Sequence, residues 1–291
     1  MPATSFLALD CGGTKCRARL EADDGAVLAE PVGGPANWAA TPRNELITNL
    51  TQVLSGIDEV GTGVICMAGI LTAQDKLDAE ALLASIVPGR WHAFPDTLSS
   101  LAACNDPNAV CVISGTGSGV CSFDSANQMV KSGGGGPMIS DCGSGFFAGR
   151  TALARFLVAG AELPHLFDKL DATYGPGGVS TWLAEIYRRP SPQAEIAQVG
   201  SWVAALATDG NEPCQSILGE AMQPLADLTL EHMRNQGFPE RQFKVFLSGG
   251  FWEASHYVPK IFGIYLRMPT YCPPLTPIEG AMKIARSIHR K

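Results

Sequence analysis

The sequence predicts an α/β protein, because strand patterns alternate with helix patterns and a similar strand–turn–strand unit occurs in each half. The first unit contains the turn Asp10-Cys11-Gly12-Gly13-Thr14, and the second contains Ser114-Gly115-Thr116-Gly117-Ser118. In both, an apolar run of strand type enters a turn rich in glycine and hydroxyl residues, and a second strand-like run leaves it. The duplication is one of pattern, without a strong sequence repeat.

Three short strands are predicted to open the first half, over residues 6–9, 16–20 and 26–29. A helix should follow, with Thr41 as its N-cap and Pro42 at its first position. The remaining elements of this half alternate, with strands over 63–67, 92–94 and 110–113 and helices over 75–86 and 98–104.

The second half is predicted to open with strands around the second turn and to continue, after a glycine run, mostly as helices. The expected helices cover residues 146–158, 181–188, 195–208 and 214–235. Pro224 should kink or divide the last of these. A strand over 243–247 follows, and residues 276–279 have the pattern of a capping box that opens a final helix to about residue 289.

Composition places the chain among ordinary globular proteins and limits its partners. Its 291 residues, 46% of them hydrophobic, suffice for one large or two medium domains. The net charge of −7 argues against nucleic-acid binding. No secretory signal and no apolar run of the ~20 residues that a membrane helix needs is visible, so we expect a cytoplasmic protein. Nine scattered cysteines without a C-x-x-C motif fit reduced thiols.

The two turns are candidate phosphate-binding sites. Glycine lets backbone N–H groups approach a phosphate, and threonine or serine adds a hydroxyl donor. The chain has neither a P-loop nor a G-x-G-x-x-G motif that opens a helix. Instead, residues 15–20 alternate between basic and apolar side chains, so a strand follows the first turn. A β-hairpin phosphate turn with Asp10 at its entrance is similar to the way that actin, hexokinase and sugar kinases hold ATP.

Three aspartates stand where strands or loops meet turns and helices, and each has two open interpretations. Asp10 ends a buried strand, so it would either bind hydrated Mg²⁺ or accept hydrogen bonds from its own turn. Asp96 follows a short strand and would either take a proton from a substrate hydroxyl or cap a helix. Asp141 would either contact a polar ligand or form an Asx turn at a helix start.

Three loops offer further candidate contacts. Asn37 carries a donor and an acceptor that suit a sugar hydroxyl, although a loop asparagine is usually a turn residue. The glycine run 133–136 would either let a ligand rest against bare backbone or act as a flexible linker. The segment Ser248-Gly249-Gly250 would either meet an adenine or ribose or be a plain strand-to-helix turn.

Taken in order, these motifs resemble those of a known family. They are 10–14, 35–37, Asp96, 114–118, 139–145, 247–250 and 278–281. The set is similar to the N-acetylglucosamine kinase and glucosamine kinase group of the BadF/BadG-type ATPases, within the actin-like ATPase superfamily. The resemblance implies two ribonuclease-H-like α/β domains with an interdomain cleft for ATP and sugar. It places the domains at 1–113 and 114–276, with a C-terminal helix, 277–291, that packs back on the first.

The resemblance also implies residue roles. Asp96 is expected to be the catalytic base on the sugar hydroxyl, and Asp10 to organise Mg²⁺. The expected sugar contacts are Asn37, Asp96, Gly134, Gly135, Gly136 and Asp141. The expected ATP contacts are Gly12, Gly13, Thr14, Lys15, Gly115, Thr116, Gly117, Gly249 and Gly250.

The chain departs from the family pattern at Cys11, where many members have glycine, and at Cys142, where glutamate or glutamine is common. The implied reaction is phosphorylation of an amino sugar, such as glucosamine or N-acetylglucosamine. The resemblance also implies a homodimer, because dimers are common in the family. Two alternatives stay open: an ATPase activator of an iron–sulfur dehydratase, and a catalytically silent sugar-binding protein. The presence of Asp96 and Thr116 argues against the silent protein.

Overall fold

A computed structural model describes residues 5–159 and 163–289. Contacts within the chain divide it into two compact units. The first unit consists of Met1–Pro107 with Pro273–Lys291, and the second of Asn108–Cys272. Among the residues that the structure describes, no helix is both long and apolar enough to cross a membrane.

A six-stranded sheet forms the centre of the first unit. Its strands are β1 Ser5–Cys11, β2 Cys16–Ala22, β3 Val27–Ala29, β4 Val32–Gly33, β5 Val60–Met67 and β6 Gly89–Pro95. The order is β3-β2-β1-β5-β6, and β4 pairs with β2. The β1–β2 and β2–β3 pairs are antiparallel, whereas β1, β5 and β6 run parallel. Parallel strands are normally covered on both faces, and this sheet follows that rule.

Four helices cover the first sheet: α1 Arg43–Val53, α2 Ala73–Ile86, α3 Asp96–Ala103 and α10 Pro277–His289. Side chains of β1 alternate between two cores, since Leu7 and Leu9 lie in one and Phe6 and Ala8 in the other. The second core is completed by apolar side chains of α10. The C-terminal helix therefore packs on the sheet that the N-terminal strands build.

A five-stranded sheet forms the centre of the second unit. Its strands are β7 Ala109–Ser114, β8 Ser118–Phe123, β9 Met129–Ser132, β10 Lys244–Ser248 and β11 Thr270–Tyr271, in the order β11-β10-β7-β8-β9. An antiparallel meander, β7-β8-β9, is joined to parallel strands, as in the first unit. The helices are α4 Gly145–Ala159, α5 Pro164–Tyr174, α6 Val179–Arg188, α7 Pro192–Thr208, α8 Glu212–Asn235 and α9 Tyr257–Leu266.

The structure differs from the sequence expectations at three elements. Strand β7 was expected in the first domain, but it pairs with β8 and β10 and so belongs to the second unit. Thr41 does not cap α1, because its hydroxyl accepts a hydrogen bond from Asn37 N–H instead. Helix α8 is not divided at Pro224, since buried apolar residues on both sides of the proline continue one face.

The capping box at the start of α10 is confirmed. The backbone N–H of Thr276 donates to Glu279 Oε2 at 2.7 Å, and the N–H of Glu279 points back to Thr276 Oγ1 at 3.5 Å. These reciprocal bonds satisfy two N–H groups that a helix start leaves without partners. The N–H and the hydroxyl of Thr276 both donate to the Glu279 carboxylate, and these bonds lower its pKa.

Candidate functional site

The first glycine turn, residues 12–15, connects β1 to β2. It is closed by a hydrogen bond from Gly12 N–H to Lys15 C=O at 2.9 Å, and Gly13, Thr14 and Lys15 are exposed. The N–H of Ala36 donates to Gly12 C=O, which ties the turn to the loop that carries Asn37. The turn is thus held at its base and open at its tip.

The two cysteines that flank this turn are opposite each other in the β1–β2 register. Cys11 and Cys16 are buried, their Cα atoms are 4.1 Å apart, and the structure joins them as a disulfide. Reduced thiols were expected throughout the chain, so the Cys11–Cys16 pair is a correction. The hairpin register explains it, because residues five apart in sequence face each other across a four-residue turn.

Asp10 lies at the carboxyl end of β1, where its side chain shares a sheet face with Phe6 and Ala8. Its Oδ1 accepts a hydrogen bond of 2.7 Å from the hydroxyl of Ser99. Burial raises the pKa of Asp10 to about 6, while the Ser99 hydrogen bond opposes that shift and the nearby charge of Asp96 adds to it. Asp10 therefore does not serve its own turn, which was the alternative interpretation, but faces α3.

Asp96 is the first residue of α3, and Pro95 holds the N-cap position. The alternative role as N-cap is therefore not the one that the structure shows. Asp96 is half-buried, and its negative charge lies in the first helical turn, where the helix dipole favours it. Strands β1 and β6 end at the same edge of the sheet, which brings Asp96 close enough to act on the pKa of Asp10.

Asn37 forms part of a tight turn. Its Oδ1 accepts hydrogen bonds from the N–H groups of Ala39 and Ala40, both at 3.0 Å. The acceptor of this side chain is therefore used within the loop, as the turn interpretation requires. Its Nδ2 group makes no hydrogen bond within residues 5–159 and 163–289, so the donor remains available to a ligand.

The second glycine turn, residues 115–117, connects β7 to β8. It is closed by Gly115 N–H, which donates to Gly117 C=O at 2.8 Å, and Thr116 is exposed at its tip. The two serines at its ends donate to the loop that precedes α4: Ser114 Oγ to Gly143 C=O and Ser118 Oγ to Cys142 C=O, both at 2.6 Å. This turn is thus anchored to the segment around Asp141.

Asp141 is buried, with 5% of its surface exposed, and has a left-handed backbone with φ 65°. Burial raises the pKa of its carboxyl, while backbone N–H groups of Ser118 and Gly136 and the charge of Lys131 oppose the shift. A Cβ at Gly117 would lie 2.9 Å from Asp141 Oδ2. The carboxylate therefore lies directly against the second glycine turn.

The glycine run 133–136 is a folded turn and not a flexible linker. Gly133, Gly134 and Gly136 have positive φ values, and Gly135 N–H donates to Ser140 Oγ at 2.7 Å. The N–H of Ser140 donates in turn to Gly136 C=O. The run therefore has a defined conformation, which three of its glycines are needed to adopt.

The glycines of the two turns and of the segment 248–250 differ in whether the fold requires them. At Gly249 the fold itself requires glycine, because φ is 109° and a Cβ would lie 2.4 Å from Ser114 C=O. At Gly12, Gly13, Gly115 and Gly250 no positive φ is recorded, and an added Cβ would meet no described atom closer than 3.9 Å. Folding does not explain glycine at these four positions, whereas a ligand that lies against the backbone would.

No group of three or more His, Cys, Asp or Glu side chains within the described part of the chain could hold a metal by itself. Asp10 fits a different kind of site. The Ser99 hydroxyl donates to Oδ1 of Asp10, and no described residue donates to Oδ2 of Asp10. A hydrated Mg²⁺ that binds one carboxylate oxygen and phosphate oxygens needs no more from the protein.

Sequence reasoning missed Ser99, the residue that contacts Asp10. Its position three residues after Asp96, on the same helix face, was a readable signal. The side-chain contact with Asp10 could not be predicted from the sequence, because it joins residues 89 positions apart.

Known proteins resemble this chain along most of its length. A family model described as the BadF/BadG/BcrA/BcrD ATPase family matches residues 7–285. The N-acetylmuramic acid/N-acetylglucosamine kinase of Clostridium acetobutylicum is 27% identical over 239 residues, which cover 75% of this chain and 76% of that protein. The N-acetyl-D-glucosamine kinase of Dictyostelium discoideum is 26% identical over 274 residues, 84% of each chain.

The fold is also that of solved structures. A candidate N-acetylglucosamine kinase of Chromobacterium violaceum is similar, with a TM-score of 0.75 at 21% identity, over 97% of this chain and 99% of that one. The α/β fold with two ribonuclease-H-like domains, typical of actin-like ATPases, is thereby confirmed. Since the family match runs nearly from end to end, the chain belongs to the BadF/BadG/BcrA/BcrD ATPase family.

Proposed function

We propose that this protein is an ATP-dependent amino-sugar kinase. The observation that carries the proposal is the pair Asp10 and Asp96, at one edge of the first sheet, beside a turn whose glycines folding does not require. Phosphoryl transfer needs positioning, charge neutralisation and a carboxylate for the hydroxyl proton, and little covalent chemistry from the protein. The relatives from Clostridium and Dictyostelium, which are named as sugar kinases, support the same choice.

In this proposal the two glycine turns bind the phosphates of ATP. The backbone of Gly12, Gly13, Gly115 and Gly117 would lie against the phosphates. The N–H groups of Gly13 and Gly117 would be the donors, because those of Gly12 and Gly115 close the turns. The hydroxyls of Thr14 and Thr116 and the ammonium of Lys15 would add donors, and all three are exposed at their turns. Gly250, whose backbone is open, would face the adenosine, while Gly249 shapes the bend that presents it.

Asp10 is the residue that would hold Mg²⁺. The ion would neutralise charge on the phosphates during transfer. Asp10 suits this role because its carboxylate is oriented through Oδ1 and leaves Oδ2 available. A cation beside it would also favour its ionised form, which burial alone disfavours.

Asp96 is proposed as the catalytic base. As the sugar oxygen forms its bond to the γ-phosphorus, the bond from that phosphorus to the leaving oxygen of ADP breaks. The hydroxyl proton passes to the Asp96 carboxylate and from there to solvent, so charge and atoms balance. Asp96 is half-buried, so its carboxyl keeps the contact with solvent that this proton release needs.

The amino sugar is proposed to contact Asn37 through its Nδ2 donor, together with Asp141 and the backbone of Gly134, Gly135 and Gly136. The buried Asp141 carboxylate would accept hydrogen bonds from sugar hydroxyls. Glucosamine and N-acetylglucosamine are the proposed substrates, with the 6-hydroxyl as acceptor. A cytoplasmic location and a homodimer remain parts of the proposal. An iron–sulfur dehydratase activator is not favoured, since the curated relatives are sugar kinases.

The test is ADP release from MgATP with glucosamine, N-acetylglucosamine, N-acetylmuramic acid and glucose, each at several concentrations. We expect strong dependence on one of the amino sugars, with little ADP released in the absence of sugar. ADP release that no sugar stimulates would contradict the proposal and move the assignment to an ATPase activator. Binding of a sugar without any turnover would indicate the silent binding protein.

A further inference from the structure

Ser99 occupies a position from which it contacts both proposed functional aspartates. It is fully buried and is the fourth residue of α3. Its Oγ lies 2.7 Å from Asp10 Oδ1 and 2.7 Å from the backbone C=O of Asp96. A hydroxyl has one proton, so it donates to one acceptor at a time, and an ionised carboxylate is the stronger acceptor.

The bond to the backbone is not what distinguishes this serine. Serine hydroxyls often bond a carbonyl three or four residues back in a helix, and Ser85 and Ser287 do so in this protein, to Leu82 and Ile284. The contact with Asp10 adds a partner from a different element, β1, and the buried Cys66 thiol of β5 also interacts with Ser99. Such a contact needs β1 and α3 to be held in one arrangement.

That arrangement is enforced from the other side of α3. Helix α10 packs against α3 so closely that a Cβ at Gly280 would lie 2.1 Å from Ser99 C=O. Two further hydrogen bonds hold the other end of α3. Leu275 N–H donates to Ala103 C=O, and Lys283 Nζ donates to Asn105 Oδ1 at 2.6 Å. Ser99 therefore cannot move away from Asp10 without disturbing α10.

We infer that Ser99 is a positioning residue that orients the Asp10 carboxylate for the metal–nucleotide complex and couples it to the start of α3. The torsion that rotates a carboxylate is broad, so a single buried hydrogen bond to one oxygen selects its orientation. The same hydroxyl fixes the distance between β1 and the first turn of α3, which carries Asp96. This inference rests on the proposed function and assigns a residue that supports it.

The test compares Ser99→Ala with Ser100→Ala. Both serines are in the same helix and nearly buried, but the Ser100 hydroxyl makes no hydrogen bond within the described ranges, so its removal controls for packing. Calorimetry of the whole protein measures ADP binding with and without Mg²⁺, and thermal unfolding checks that each variant folds. We expect Ser99→Ala to weaken MgADP binding about three- to tenfold. The same variant should bind metal-free ADP within about twofold of the wild type. Ser100→Ala should change neither affinity.

A double-mutant cycle with Asp10→Asn separates positioning from a general loss of structure. If Ser99 acts through Asp10, the effect of Ser99→Ala on MgADP binding disappears once Asp10 is replaced. An equal effect in both backgrounds, or equal weakening of ADP with and without Mg²⁺, would overturn the inference. Failure of the wild type itself to bind MgADP would instead contradict the proposed function, so the two failures are distinguishable.

Discussion

Among single residues, the fold requires glycine at some positions and not at others. Gly13 and Gly249 are the clearest contrast. Gly13 has an ordinary backbone and open space around it, whereas Gly249 has φ 109° and lies against Ser114 C=O. The same substitution at both positions should therefore have opposite consequences.

We expect Gly13→Ala to unfold at nearly the wild-type temperature but to bind ATP more weakly, because its methyl group occupies space that a phosphate needs. Gly249→Ala should be destabilised by about 2 kcal/mol or more, since it combines a left-handed backbone with a clash. Urea unfolding and nucleotide titration of both variants measure the difference. Equal stability of the two variants would contradict this separation.

Asp96→Asn tests the proposed base. The amide keeps the shape of the side chain but cannot take up the hydroxyl proton. We expect kcat to fall by about two to four orders of magnitude, with ADP affinity unchanged because Asp96 is not among the proposed phosphate contacts. Steady-state kinetics and calorimetry of the same preparation check both parts. Turnover near that of the wild type would remove Asp96 from its role.

Asp10 gives a prediction about pH. Its pKa is raised from 3.8 to about 6 in the folded protein, so between these values the folded state binds more protons than the unfolded state. Asp10 therefore lowers the free energy of unfolding of the protein as pH rises from 4 to 6, and the full decrease is reached above pH 6. Without Mg²⁺, Asp10→Asn should be more stable than the wild type at pH 7.5, by about 1–3 kcal/mol.

The advantage of Asp10→Asn should shrink as pH falls below 6, where the wild-type carboxyl is protonated. Chemical unfolding at pH 5, 6 and 7.5 in the presence of a chelator measures it. A variant that is less stable than the wild type at pH 7.5 would show that burial does not penalise this carboxylate.

At the scale of elements, the sequence predicted well what local chemistry decides. Helix α10 was recognised from Thr276, Pro277 and Glu279, and the structure contains the expected capping bonds. Hairpin strands β1 and β2 were readable from the alternation after the first turn. The Thr41 cap was wrong, because the threonine hydroxyl accepts the N–H of Asn37 instead. Of the two outcomes expected at Pro224, a kink or a division, the structure does not show the division, because buried packing continues α8 across the proline.

The contact of α10 with α3 gives a prediction at this scale. Gly280→Ala places a methyl group against Ser99 C=O and should cost about 2 kcal/mol or more in unfolding free energy. Gly263→Ala is the matched control, since it also lies within a helix but meets no described atom within 4 Å. The control should gain about 0.5–1 kcal/mol from helix propensity. Equal effects in urea unfolding would argue against close packing of α10.

For the whole molecule, the fold class predicted from the sequence is confirmed, the candidate site stays a prediction, and not every boundary or contact was predicted. The site residues were identified from a resemblance in the order of short motifs, while their roles remain proposals. The expected domain boundary between 113 and 114 separated β7 from β8, although the strand–turn–strand unit that they form had been recognised. The pairing of β7 with β10, more than a hundred residues away, has no local signal. Ser99 escaped notice for the same reason.

The central claim for the whole molecule is that phosphate passes from ATP to a sugar. The most direct measurement is identification of the products by ³¹P NMR after reaction of MgATP with N-acetylglucosamine or glucosamine. We expect a sugar phosphate ester on the 6-oxygen, formed in equal amount to ADP. ADP accompanied by inorganic phosphate and unmodified sugar would contradict it.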